Sequence, residues 1–264
     1  WVAWIKLQMS QTQSWTIGRL LTWTTDYLTK YGVENPRLDT EVLLAEARGC
    51  SRIDLYAAFE ELANDEIRLA FRELVQRRAE GTPVAYLVGR REFYSLNFRV
   101  TPDVLIPRPE TELLVVALLD RIRELPPDKP VTVADVGTGS GVIAVCAAKY
   151  GGNCQVTGID ISRPALDVAE ANAADHGVAE QIEWIESDLF SALPSDRRFD
   201  LIVSNPPYVS AAEMEALAAD IKNHEPRQAL VAGEMGTEVI QRLVDVAQRL
   251  FDKLLKRRSV SQFN

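Results

Sequence analysis

Apolar positions recur with two different periods along this chain of 264 residues, and the period changes near residue 130. Between Trp15 and Glu80, Ile17, Leu20, Leu21 and Leu28 recur at helical spacing, as do Val42, Leu43 and Ala47. Asn64 or Asp65 stands where a cap belongs before "EIRLAFRELVQRRAEG", and Gly81 ends that helix. This stretch predicts a small helical domain. Aromatic and β-branched alternation around Phe93, Leu96, Phe98 and Val100 predicts a β-hairpin, and prolines 102, 107 and 109 mark residues 82–110 as a connector. A helix is expected from near Pro109 through "ETELLVVALLDRIREL". From Val131 the rhythm alternates. "VTVADV", "CQVTGID", "QIEWIES" and "FDLIVS" read as buried strands, with helices over "GVIAVCAAKY" and "RPALDVAEANAADHG". Strands alternating with helices of this length predict a parallel, doubly wound α/β sheet.

Composition narrows the classes. At 47% hydrophobic and 25% charged, the chain reads as an ordinary globular protein. A net charge of −9 argues against a dominant electrostatic grip on nucleic acid, so no direct nucleic-acid binding is expected. No apolar run is long enough to span a membrane. The three cysteines, Cys50, Cys146 and Cys154, read as reduced thiols of a cytoplasmic protein, and no Cys/His cluster has metal-ligand spacing. With only His176 and His224 in the chain, histidine-based acid–base chemistry starts from a weak position.

Candidate chemistry sits after the strands. The first is followed by Gly137, Thr138, Gly139, Ser140 and Gly141, a glycine-rich turn into a helix. Glycine permits positive φ and close approach of backbone N–H groups to a ligand. The spacing is G-x-G-x-G rather than the G-x-G-x-x-G of dinucleotide sites, which disfavours a pyrophosphate cradle. Asp160 ends the second strand, where a carboxylate meets ribose hydroxyls at a switch point; a helix-start acid is the plain alternative. Asp188 after the third strand is placed to accept from an adenine amino group, with Leu189 packing on the base. Ribose and adenine without a pyrophosphate loop point to S-adenosylmethionine, and the chain here resembles the class I methyltransferases. After the fourth strand stand Asn205, Pro206, Pro207 and Tyr208. The residue before a proline is biased to an extended conformation, and proline has fixed φ and no N–H, so this turn is stiff. The Asn205 side-chain oxygen and the Pro206 carbonyl are expected to accept the two N–H hydrogens of a planar nitrogen, and Tyr208 to lie against its plane. Candidate targets are an adenine or cytosine amine or a glutamine amide.

The segments "GTPVAYLVGRREFYSLNFRVTPDVLIPRPETELLV", "SDLF", "NPPYVS" and "HEPRQALVAGEMG" together resemble the HemK/PrmC family of protein-(glutamine-N5) methyltransferases. The resemblance runs from about residue 15 to 251. It implies a class I S-adenosylmethionine-dependent fold, a small helical N-terminal domain that contacts a peptide-chain release factor, and methylation of the glutamine in its Gly-Gly-Gln loop. By position it assigns Gly137 to Gly141, Asp160, Leu189 and Asn205 to the cofactor, and Asn205, Pro206, Pro207 and Tyr208 to the glutamine. The implied organisation is a helical substrate-recognition domain over residues 9–83, a hairpin connector over 84–108 and a methyltransferase domain over 109–264, working as a monomer. Arg108, Glu110 and Glu112 read equally as pocket groups or as helix-start charges.

Both ends depart from the family pattern. Met9 reads as a natural start. After "LVDVAQRLF", the tail "DKLLKRRSVSQFN" lacks the glycine turn and further strands that family members carry. The C-terminal strands are therefore expected to be truncated, leaving the strand before Asn205 at a sheet edge. The alternatives to a release-factor enzyme are a methyltransferase of nucleic-acid exocyclic amines and an inactive truncated homologue.

Overall fold

A computed structural model describes residues 14–194 and 196–248. It separates into two compact units, Trp1–Val88 and Gly89–Asn264. The tail after "LVDVAQRLF" and residues 1–8 lie outside the described residues.

The first unit is helical: α1 Ile17–Lys30, α2 Pro36–Arg48, α3 Arg52–Ala57, α4 Asp65–Ala79 and α5 Val84–Val88. Each long helix starts for a local reason. The Thr16 hydroxyl accepts from the Arg19 N–H, Pro36 opens α2, and the Asn64 side chain accepts from the Ile67 N–H. Leu20, Leu21, Leu28, Leu43, Leu44, Leu55 and Phe71 form the core, each such burial being worth about 1.5–3 kcal/mol. The buried stripe of α2 runs through Leu43, Leu44 and Ala45, whereas the expected Val42 and Ala47 are only half-buried. Glu41 takes a buried place on that helix because Arg37, Arg52 and Tyr56 all donate to its carboxylate. Burial opposes its charge, yet those donors outweigh it and hold the carboxyl below its usual range. Residues 84–88, expected in the hairpin connector, form a turn of helix. Val84, Leu87 and Val88 pack on the helical core at helical spacing.

The second unit opens with the hairpin β1 Arg90–Phe93 and β2 Leu96–Arg99, antiparallel with Phe93 opposite Leu96. Then come α6 Thr111–Glu124, β3 Val131–Val136, α7 Val142–Tyr150, β4 Cys154–Asp160, α8 Arg163–Asp175, β5 Ile182–Glu186 and β6 Leu201–Ser204. The short β7 Val209–Ser210 leads into α9 Ala211–Met214, α10 Ala219–His224, α11 Arg227–Leu230 and β8 Val231–Gly233. A further helix, α12, covers 238–248. The parallel sheet has the order β5-β4-β3-β6, so β6 is an edge strand among the described residues. The small parallel pair β7–β8 has no counterpart in the sequence reading. Strand alternation sorts the two faces. Val131, Val133 and Val156 meet α6, α7 and the hairpin phenylalanines, while Ala134, Val136 and Ile159 meet Leu189, Phe190, Phe199 and Leu243 of α12. The chain passes from β3 outward to β5, then crosses to β6 on the other side. The strand order thus reverses at β3, where open α/β sheets form their ligand crevice.

Candidate functional site

A cavity of about 330 Å³ lies at that reversal, within the second unit. Four strand ends supply its floor. Gly137, Thr138, Gly139 and Ser140 follow β3, Asp160 ends β4, and Ile161 and Ser162 follow it. Ser187, Asp188 and Leu189 follow β5, and Ser204 to Pro207 follow β6. Asp103 to Leu105, Pro107, Arg108 and Thr111 of the connector form another wall, and residues of α11, β8 and α12 close the far side.

The glycine loop owes its shape to backbone freedom rather than crowding. Gly137 and Gly139 have φ of +72° and +56°, and a Cβ on either would meet nothing within 4 Å. The loop is pinned from below: the Gly137 and Thr138 N–H groups both donate to the Ile159 carbonyl, at 2.8 and 3.0 Å. Asp160 braces it from the side. One carboxylate oxygen accepts the Gly139 N–H at 2.9 Å and the other the Ser162 N–H at 3.0 Å. Burial raises the Asp160 carboxyl above its usual range, against the pull of those N–H donors. Beneath the loop, Asp135 is fully buried. One of its oxygens accepts from the Thr138 hydroxyl at 2.6 Å and the Ala144 N–H at 3.1 Å, and the other has no partner among the described residues. Burial lifts Asp135 to about 7; its two donors oppose the rise and the Asp160 charge adds to it.

After β6, the Ser204 hydroxyl donates to the Val136 carbonyl at 2.6 Å, tying this strand end to the start of the glycine loop. The Asn205 amide nitrogen donates to the Thr111 hydroxyl at 3.2 Å. Leu189 sits at φ +52°, a left-handed conformation that costs a non-glycine residue about 1–3 kcal/mol, and it lines the cavity.

Residues 19–89 match the family pattern described as the PrmC N-terminal domain, and residues 111–262 match that of the methyltransferase small domain. Relatives named release factor glutamine methyltransferase align over most of the chain. The one from Rhodopirellula baltica is 51% identical over 247 residues, covering 93% of this chain and 83% of its own. The chain belongs to the release factor glutamine methyltransferase family. The relative from Geobacter sulfurreducens is 44% identical over 88% of this chain and 79% of its own, and that from Bacillus subtilis 39% identical over 87% and 79%. A solved structure of the hMettl16 catalytic domain in complex with the MAT2A 3′UTR hairpin 1 aligns at TM-score 0.49 and 16% identity, over 67% of this chain and 63% of that one.

Not every expected residue of this family member faces the cavity. Tyr208 is 63% exposed and does not line it. Gly141, at φ +80°, points away from it, and a Cβ there would lie 3.0 Å from the Ala169 Cβ in α8. Asp188 does line it, but Arg242 of α12 donates to one of its carboxylate oxygens at 2.6 Å. Two of the connector charges have structural partners. Arg108 pairs with the buried Glu225 at 2.5 Å, and the Glu112 carboxylate accepts the Tyr94 N–H at 2.9 Å, bracing the hairpin turn. The sequence reading missed Thr111, Asn172 and Arg242. Asn172, fully buried in α8, donates to the Ser140 and Arg99 carbonyls and accepts the Arg99 N–H. An asparagine among the small apolar residues of an expected helix was the available signal.

Proposed function

We propose that the protein transfers the methyl group of S-adenosylmethionine to the side-chain amide nitrogen of the glutamine in the Gly-Gly-Gln loop of peptide-chain release factors. Family membership across 93% of the chain carries this reading. The residues at the four strand ends fit the cofactor. Gly137 and Gly139 leave open space above the loop, and the Asp160 carboxylate, holding backbone N–H groups that include those of Gly139 and Ser162, keeps lone-pair capacity for a ribose hydroxyl. A cavity near 330 Å³ falls in the range of small-molecule sites, about 300–1,000 Å³. When bound, S-adenosylmethionine supplies a methyl group already activated by its sulfonium.

The chain's own task is then positional. A glutamine amide nitrogen is a poor nucleophile because its lone pair is delocalised into the carbonyl. The Asn205 oxygen and the Pro206 carbonyl accept its two N–H hydrogens, holding the nitrogen in line with the methyl group. As positive charge develops on nitrogen, both acceptors strengthen. Alignment of this kind is worth roughly 7–11 kcal/mol of barrier, and aimed dipoles about 2.7–4 kcal/mol more. No histidine is needed. Gly137 to Ser140, Asp160, Asp188 and Leu189 hold the cofactor, Pro207 stiffens the turn, and Tyr208 closes on the glutamine from the exposed rim. The helical unit, which runs through Val88, recognises the release factor, the stretch from Gly89 to Arg108 connects, and 109–264 carries the methyltransferase domain. The protein acts as a monomer in the cytoplasm, where its substrate works, and it does not bind nucleic acid directly. Among the described residues no helix is long and apolar enough to cross a membrane.

The test is methyl transfer from labelled cofactor to a purified release factor, to its loop Gln→Ala variant, and to DNA and rRNA in parallel. Label on the unaltered release factor alone is expected. Label on nucleic acid would overturn the substrate assignment, and label nowhere would make the chain an inactive homologue.

A further inference from the structure

We infer that Thr111 is a positioning residue that anchors the Asn205 amide at the edge of the cavity. The inference rests on the reading of Asn205 as an acceptor for the target amide. An asparagine side chain carries a donor and an acceptor of nearly equal shape, so a half-turn about its last torsion exchanges them. The target presents two N–H donors. Asn205 serves it only with the oxygen toward the cavity; turned over, it sets donor against donor.

Thr111 supplies the anchor for that side chain. Its hydroxyl accepts from the Asn205 amide nitrogen at 3.2 Å, which leaves the oxygen end without a hydrogen-bond partner among the described residues. Both residues line the cavity. Thr111 is itself fixed. It is 6% exposed, it is the first residue of α6, and its N–H donates to the Arg108 carbonyl at 3.0 Å. Arg108 is in turn held by the buried Glu225, and the next residue, Glu112, is held by the Tyr94 N–H. The "RPETE" stretch thus becomes a rigid mount for one hydroxyl, aimed at a side chain 94 positions later. The mount explains why charged residues of the connector pair with the protein around the cavity and not only with solvent.

Replacing Thr111 by valine keeps the shape and removes the hydroxyl, while serine keeps the hydroxyl. Thr111→Val is expected to lower kcat about tenfold, the scale of one lost hydrogen bond, while KM for the release factor and the cofactor Kd from calorimetry stay within about twofold. Thr111→Ser should recover most of the loss. In an Asn205→Ala background, Thr111→Val should have no further effect, because it acts through that amide. A full additional loss in that background would overturn the inference, and so would an undiminished kcat in Thr111→Val alone. A raised cofactor Kd would make Thr111 a cofactor contact instead. Should Asn205→Ala itself retain wild-type kcat, the acceptor reading fails first, and the two failures are told apart. Thermal unfolding of each variant checks that a loss of kcat is not a loss of fold.

Discussion

Asp135 offers a sharp test of the electrostatics beneath the glycine loop. Its carboxyl is fully buried, and burial lifts it from the ordinary value near 3.9 to about 7. The folded protein therefore holds a proton that the unfolded chain releases at lower pH. The stability associated with that proton is fully present below about pH 4 and is lost as pH rises toward 7. A rise of this size corresponds to about 4 kcal/mol of unfolding free energy, each tenfold step in acidity being worth about 1.4 kcal/mol. Asp135→Asn keeps the shape and cannot ionise. Its carbonyl can accept from the Thr138 hydroxyl and the Ala144 N–H as the carboxylate does now. Urea unfolding of both proteins from pH 4.5 to 8, followed by circular dichroism, isolates the residue by difference. Only the transition of the unit that contains Asp135 is compared. Relative to wild type, the variant should gain stability steadily with pH and level off above 7. A difference that is flat with pH would refute the buried-proton account. A difference that shrinks with rising pH would mean the carboxylate is stabilised in its charged form.

Three further outcomes are expected. Asn205→Ala should lower kcat by about 100-fold or more, as for a lost transition-state donor or acceptor, with cofactor affinity measured by calorimetry nearly unchanged. Burial raises the Asp160 carboxyl, so cofactor affinity should fall as pH falls through its pKa, and Asp160→Asn should bind weakly and lose that pH dependence. Gly141→Ala forces a side chain into a left-handed backbone and against Ala169, so it should destabilise by about 1–3 kcal/mol in thermal or urea unfolding. Because Gly141 does not face the cavity, calorimetry of the folded variant should show near-normal cofactor affinity.

The elements legible in the sequence are those whose information is local. "VTVADV" announces a buried central strand by its apolar run, and the glycines after it announce a positive-φ turn; Asp160 and Asn205 were readable as polar residues just past such strands. Distances along the chain hid the rest. Asn205 meets Thr111 across 94 positions, Arg108 meets Glu225 across 117, and Asp188 meets Arg242 across 54. Nothing in a 3.6- or 2-residue period encodes those pairs. Val42 and Ala47 misled for a related reason. Apolar spacing groups Leu43, which is buried, with Val42 and Ala47, which are only half-buried, and it gives no sign that Glu41 is buried where Arg37, Arg52 and Tyr56 converge on it. Gly141 shows that a motif can combine residues of different purpose. Two glycines open onto the cavity, and the third lets a helix start close to its neighbour.

Asn172 limits how this chain can vary. Its one side chain gives N–H donors to the Ser140 and Arg99 carbonyls and takes the Arg99 N–H in return. Aspartate of the same length has no donor to give, and glutamine is one methylene too long for a site with no exposed surface. Leucine would strand three backbone groups at once. Drift in the hairpin, the glycine loop and α8 is therefore coupled through a position that touches no ligand, so substitutions in any one of the three must keep an asparagine-sized amide satisfied in the other two.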